Sequence, residues 1–203
     1  MLKRTFISLE NRDYRHLWLG MLFQMCGMQM QGVVLGWFVY ELTGSMSLLG
    51  LVMGIYGLPS LLVGPIGGVL ADRFDKKLVT QSGHMVSMLL VLFLGISVTT
   101  GTITWWHLLA QAIIHGSVLP AMMPARQSII PLVVPPKHLL NAVALNSMGM
   151  QVMGILAPGL AGGIIAMTGA GTAYYLLFCV YIGAIFFTSL LPRQQTPLSG
   201  NIG

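Results

Sequence analysis

The sequence predicts an all-α integral membrane protein, six transmembrane helices arranged as two inverted three-helix repeats, and three observations predict it. Only 7% of the 203 residues are charged against 55% hydrophobic, with a mean hydropathy of +0.80. A soluble domain carries about 25% charged residues, so five acids and ten bases cannot cover a water-facing surface here. Six apolar runs approach the about 20 residues that cross a bilayer as a helix. All ten bases fall in segments that an even number of spans places on one side.

The runs follow in order. The first, residues 17–40, is entered from a basic interfacial lead-in, residues 1–16, and is closed by Glu41. The second, 47–71, follows a turn at 41–46 and ends at Asp72 and Arg73. The third, 78–99, starts after Lys76 and Lys77 and stops at the turn 100–103. The fourth, 104–123, runs toward Arg126. The fifth, 142–167, follows Lys137, and the sixth, 173–191, lies between a turn at 168–172 and Arg193. Lipid offers a bare backbone no partner, so each run is expected to be a helix. No run alternates with period two, which argues against a barrel. The first run is too long for a cleaved signal and no small-x-small site follows it.

Lys and Arg are enriched in cytoplasmic loops. Lys3, Arg4, Arg12 and Arg15 precede the first run, Arg73, Lys76 and Lys77 separate the second and third, Arg126 and Lys137 separate the fourth and fifth, and Arg193 follows the sixth. Both termini are therefore expected in the cytoplasm, with the chain multi-pass in the inner (plasma) membrane. The bases form no stripe that follows phosphates, so nucleic acid is not an expected partner. Cys26 and Cys179 fall inside spans and read as free thiols rather than a disulfide.

Gly67-Gly-Val-Leu-Ala71 ends the second span and Gly162-Gly-Ile-Ile-Ala166 the fifth, each with a proline shortly before. The same element at the same place in two three-helix units marks an internal repeat, 17–99 and 104–191, and three being odd, the second unit is inverted. Gly50, Gly54, Gly64 and Gly68 have small-xxx-small spacing and read as packing residues.

The most informative segment is Gly68-Val-Leu-Ala-Asp-Arg-Phe-Asp-Lys-Lys77, between the second and third spans. Asp72 is an acid at a membrane edge where bases are favoured. There it can cap a helix or pair with a guanidinium in one conformation and release it in another, as a latch does. The segment resembles the loop signature of the major facilitator superfamily: Gly68, Leu70, Ala71, Asp72, Arg73 and Lys77 match, while Asp75 and Lys76 depart from the usual glycine and arginine. Asn11-Arg-Asp-Tyr-Arg-His-Leu-Trp18, Gly36-Trp-Phe-Val-Tyr-Glu-Leu-Thr-Gly-Ser45, Pro124-Ala-Arg-Gln-Ser-Ile-Ile-Pro131 and Asn141-Ala-Val-Ala-Leu-Asn-Ser147 extend the likeness. These blocks resemble the branch of enterobactin and macrolide exporters. The resemblance implies half of a twelve-helix fold that works by alternating access on an ion gradient and exports drugs or siderophore-like small molecules. It also implies that residues 192–203 begin a cytoplasmic linker at which the chain is truncated, so that a C-terminal half or a second copy completes it.

Polar side chains inside spans are costly and mark function by default. His107, Gln111 and His115 stand at i, i+4 and i+8 on one face of the fourth span, and Gln24 and Gln31 share a face of the first. In the family fold those two helices surround the cavity, so the five are candidate substrate-lining residues. Otherwise a glutamine there bonds to a neighbouring helix, and His107, near the outer edge, is simply wet. His115, Glu41 and Asp72 are the titratable candidates for carrying a coupling proton. Arg126 is either the partner of Asp72 or a base that sets topology. Asn141 reads as a helix cap, and Trp18, Tyr40, Trp105, Trp106 and Tyr174 as interface anchors.

An enzyme is the rival class. Gly116-Ser117 invites comparison with intramembrane serine proteases, but that chemistry needs a histidine on another helix within reach, and His84 sits near the cytoplasmic edge. His107 and His115 lack metal-ligand spacing, and no Gly-rich phosphate loop appears. Neither catalysis, metal nor cofactor is expected. A non-transporting accessory fragment is the remaining alternative.

Overall fold

The computed structural model describes residues 7–191, apart from the side chains of residues 7 and 70–72. Lys3, Arg4, Arg193 and the expected linker thus lie outside the described residues, as do the side chains of Leu70, Ala71 and Asp72. The described residues form six long helices: α1 Arg12–Thr43, α2 Met46–Arg73, α3 Lys76–Thr99, α4 Trp105–Gln127, α5 Leu139–Thr168 and α6 Ala170–Ser189. Shorter turns of helix cover Ile7–Glu10, Ile130–Val133 and Pro136–His138. No strand occurs among the described residues.

Five of these segments are long and apolar enough to cross a membrane, beginning at Met46, Lys76, Trp105, Pro136 and Ala170. α1 has 32 residues, about 48 Å at 1.5 Å per residue. Gln24, Gln29 and Gln31 make it less apolar than the rest.

Local chemistry sets the ends. Asn11 caps α1, its Oδ1 accepting from the N–H groups of Asp13 at 2.9 Å and Tyr14 at 3.1 Å. Within the lead-in, residues 12–16 form the first turns of α1, and Ile7–Glu10 is a separate short turn before its cap. Gly44, at φ 61°, closes the same helix, a left-handed conformation that glycine adopts without strain. Asp75, the residue that departs from the loop signature, caps α3 by accepting from Lys77 N at 2.8 Å and Leu78 N at 3.3 Å.

α1 and α5 run side by side in the same direction. Tyr14 Oη donates to Ala142 O at 2.7 Å, Trp18 Nε1 to Leu145 O at 3.1 Å, and a Cβ on Gly149 would meet Met21 and Leu22. α2 and α4 are likewise parallel and closer still: a Cβ on Gly67 would lie 2.2 Å from Pro120 O, and one on Gly116 2.3 Å from Tyr56 O. α6 lies antiparallel to α1 and α3. A cluster with Val34, Val52, Val91, Leu108, Ala157, Ala161, Tyr174 and Leu177 forms the core between the helices.

Three expectations are corrected. Gly50, Gly54, Gly64 and Gly68 have nothing within 4 Å and pack against no helix of this bundle; Gly67 and Gly116 make the close approach instead. Asn141 lies inside α5 and accepts from Ser8 Oγ at 2.7 Å, tying down the lead-in rather than capping the helix. Tyr174 is buried in the core instead of anchoring at an interface, since its hydroxyl finds a partner there.

Candidate functional site

The centre of the bundle carries a polar layer. His115 on α4 is buried between two tyrosines: Tyr56 Oη of α2 is 3.0 Å from Nδ1, and Tyr181 Oη of α6 is 3.1 Å from Nε2. Tyr181 in turn donates to Gln31 Oε1 of α1 at 2.7 Å. With its proton given to Gln31, the Tyr181 oxygen accepts from His115 Nε2–H, and Nδ1 of the neutral ring accepts from Tyr56. Four helices are joined by one directional chain, Tyr56 to His115 to Tyr181 to Gln31. Beside it, Tyr174 Oη donates to Gln111 Oε1 at 3.0 Å. The amide nitrogens of Gln31 and Gln111 are buried without a partner.

The fold thus joins Gln31 and His115 through one tyrosine, with Gln111 one turn from His115 on α4. Gln31 and Gln111 each make the interhelical bond that the alternative reading anticipated. Gln24 stands apart, two turns along α1, where its Nε2 meets Met123 Sδ at 4.0 Å and its Oε1 has no partner. His107 is also separate. Its Nδ1 accepts from Thr104 N at 3.0 Å, closing the start of α4, and its ring packs edge-on against Phe93. Glu41 is exposed at the end of α1, accepting from Trp37 Nε1 at 3.0 Å.

A second buried group is Arg126, near the end of α4 and 2% exposed. Its Nη1 donates to Asn146 Oδ1 at 3.4 Å, while Nε and Nη2 have no partner. His84 on α3 is buried with both ring nitrogens unpartnered.

In the signature segment, Lys77 Nζ donates to Ser189 O at 2.7 Å and to Leu191 O, so it holds the last carbonyls of α6 against the start of α3. This is where a cation suits a helix, because its C-terminal carbonyls lack intrahelical donors. Arg73 is exposed and Lys76 half-buried. Gly68 faces open space. The Leu70 and Asp72 side chains lie outside the described residues.

Tyr56, Tyr174 and Tyr181 escaped sequence reasoning as site residues. Their available signal was a hydroxyl placed within an apolar run, which must find a partner there.

Six packed helices, five of them of spanning length and composition, with polar groups bonded across the interior, define a helical multi-pass membrane protein. The family described as transmembrane secretion effector matches residues 3–199, and the chain belongs to this family, within the major facilitator superfamily. It is 25% identical over 194 residues to YkuC of Bacillus subtilis (strain 168), an uncharacterized MFS-type transporter, with 94% of this chain and 45% of that protein covered. YfiS of the same organism, also an uncharacterized MFS-type transporter, is 24% identical over 162 residues, covering 76% and 36%. The uncharacterized MFS-type transporter y4rN of Sinorhizobium fredii (strain NBRC 101917 / NGR234) is 23% identical over 135 residues, covering 66% and 33%. The chain spans less than half the length of these curated relatives.

Proposed function

We propose that the chain is the N-terminal half of an exporter of drugs or siderophore-like small molecules, working by alternating access on an ion gradient, with both termini in the cytoplasm of an inner-membrane protein. One observation carries the reading of a half. α2 and α5 turn wide faces outward in which exposed leucines such as Leu61 and Leu62 on α2 and Leu156 and Leu160 on α5 lie near glycines that meet nothing within 4 Å, Gly50, Gly54, Gly64 and Gly68 on α2 and Gly159, Gly162 and Gly163 on α5. Small residues let helix backbones approach closely, so these faces suit other helices, those of a second half or a second copy. Residues 17–99 and 104–191 are the two inverted repeats. The parallel pairs α1–α5 and α4–α2 favour that reading, since exchanging the repeats turns one pair into the other.

In this proposal Gln31, Gln111 and His115 form the lining exposed when α1 and α4 separate, with Gln24 one layer inward and His107 at the outer mouth. His115 carries the coupling proton, and Glu41 and Asp72 are the other titratable groups. A proton added at Nδ1 turns Tyr56 from donor to acceptor, so the charge state of one ring sets the hydroxyl orientation on a neighbouring helix. Asp72 is the latch and Arg126 its partner. Asp72 and Arg126 each stand one residue before the end of the adjacent parallel helices α2 and α4. The two unpartnered donor nitrogens of Arg126 give the carboxylate a place to bind.

Efflux from cells expressing residues 1–203 alone, set against cells that also express a C-terminal half, tests the reading. Efflux is expected only in the second case. Equal efflux in both, from a chain that remains monomeric, overturns it.

A further inference from the structure

Arg126 is the only buried cation among the described residues. A charge taken out of water is costly unless it is paired and hydrogen-bonded. Its one bond is a long one to a neutral amide, Asn146 Oδ1 at 3.4 Å. The Tyr14 hydroxyl donates to Ala142 O at 2.7 Å. The guanidinium is therefore held in place with two donor nitrogens unused.

Asn146 faces two ways. Behind it is Arg126, and in front is a cavity of about 380 Å³ between the end of α4, the turn Ile130–Val133 and the first turns of α5. Gln127, Asn146 and Ser147 supply polar groups to that cavity, and Ile130, Val143 and Met150 an apolar wall. Lys137 is exposed two residues before Leu139, which also lines it. A lining that mixes amide and hydroxyl groups with apolar side chains, backed by a buried cation with no anionic partner, fits an oxyanion carried on an apolar tail. Guanidinium groups bind carboxylate and phosphate through parallel charge-assisted hydrogen bonds.

We propose that this cavity binds the carboxylate or phosphate end of an amphipathic molecule. The oxyanion replaces Asn146 Oδ1 on Arg126, and the tail lies against Ile130, Val143 and Met150. The amide of Asn146, released from Arg126, donates to the same oxyanion. Acidic phospholipids and free amphipathic solutes share this chemistry. The site holds whether or not the chain exports, and it does not require Asp72.

The test titrates dodecyl phosphate into the full chain purified in phosphatidylcholine nanodiscs and follows the unfolding temperature. Dodecanol and inorganic phosphate serve as tail-only and head-only controls. Dodecyl phosphate is expected to give a saturable rise that neither control reproduces. Asn146→Leu and Arg126→Gln are each expected to weaken half-saturation by about tenfold or more, the factor that about 1.4 kcal/mol represents. Arg126→Gln removes a buried charge and can disturb folding, so Val143→Phe, which fills the cavity from a half-exposed position, gives a second variant expected to weaken binding with folding retained. Nanodiscs containing phosphatidylglycerol separate the two sources. A raised starting temperature and a blunted response to dodecyl phosphate identify the occupant as lipid, and an unchanged response identifies it as a free solute. Asp72→Asn keeps the response if the site is as described, even where that variant abolishes efflux. A rise equal with dodecanol, or one undiminished in both Asn146→Leu and Val143→Phe, overturns the proposal.

Discussion

Replacing Gly116 by alanine puts a methyl group where α2 and α4 touch. A Cβ there lies 2.3 Å from Tyr56 O, and the reciprocal change at Gly67 puts one 2.2 Å from Pro120 O. Carbon and oxygen in close contact sit about 3.3 Å apart or more. Both obstructing atoms belong to backbone and cannot swing aside, so the helices must part by about 1 Å. Tyr56 is also the residue whose hydroxyl meets His115 at 3.0 Å. Parting the helices by that distance takes the bond to about 4 Å, beyond hydrogen-bond reach. Overpacking costs about 1–3 kcal/mol and an interhelical hydrogen bond in a membrane about 0.6–2 kcal/mol. Gly116→Ala is therefore expected to destabilise the chain by about 2–5 kcal/mol. Reversible denaturant unfolding in neutral detergent measures that cost, and nitrogen NMR of the His115 ring reports the loss of the Tyr56 bond at Nδ1. Gly64→Ala, with nothing within 4 Å, is the control, expected to change stability by no more than about 0.5 kcal/mol. The reasoning fails if Gly116→Ala unfolds with the control and leaves the Nδ1 resonance in place.

The other predictions concern single contacts. Asp75→Ala removes the cap of α3 and is expected to cost about 1 kcal/mol in the same unfolding assay, whereas Asp75→Asn keeps an acceptor and stays near wild type. Tyr181→Phe breaks the bonds to His115 and Gln31 together. It is expected to abolish gradient-driven efflux by the complete transporter while Tyr40→Phe, with an exposed ring at the end of α1, leaves efflux intact; normal efflux by Tyr181→Phe rules out His115, in this hydrogen-bonded chain, as the carrier of the coupling proton. Asp72→Asn in a complete transporter is expected to reduce efflux with membrane insertion unchanged, and full efflux would remove the latch. Cysteines at Gln31 and Gln111, both sealed in this structure, are expected to react with a polar thiol reagent only while the transporter cycles, with substrate protecting them.

The helices were legible because apolar runs and charge boundaries depend on residues near in sequence. The run at 78–99 became Lys76–Thr99 and that at 47–71 became Met46–Arg73. α1 began earlier than its apolar run because Asn11, Asp13 and Tyr14 build a cap that hydropathy does not weigh. Gln31, Gln111 and His115 stood out because an amide or imidazole in a span needs an explanation. Tyr56 and Tyr181 did not, since a tyrosine counts as apolar by its ring and only a neighbouring helix shows what its hydroxyl does. The glycines failed for a related reason. Spacing marks a face that permits close approach, but Gly67 and Gly116 meet backbone while Gly64 and Gly68 face outward, and which face receives a neighbour depends on contacts distant in sequence.

The proposal that these six helices are half of a transporter can be tested in vesicles. Residues 1–203 are reconstituted at a dilution that leaves at most one copy per vesicle, and again together with a C-terminal half. With an ion gradient imposed, no gradient-driven movement of an amphipathic dye is expected in single-copy vesicles, and movement is expected once the second half is present. Gradient-driven transport by single copies would contradict it.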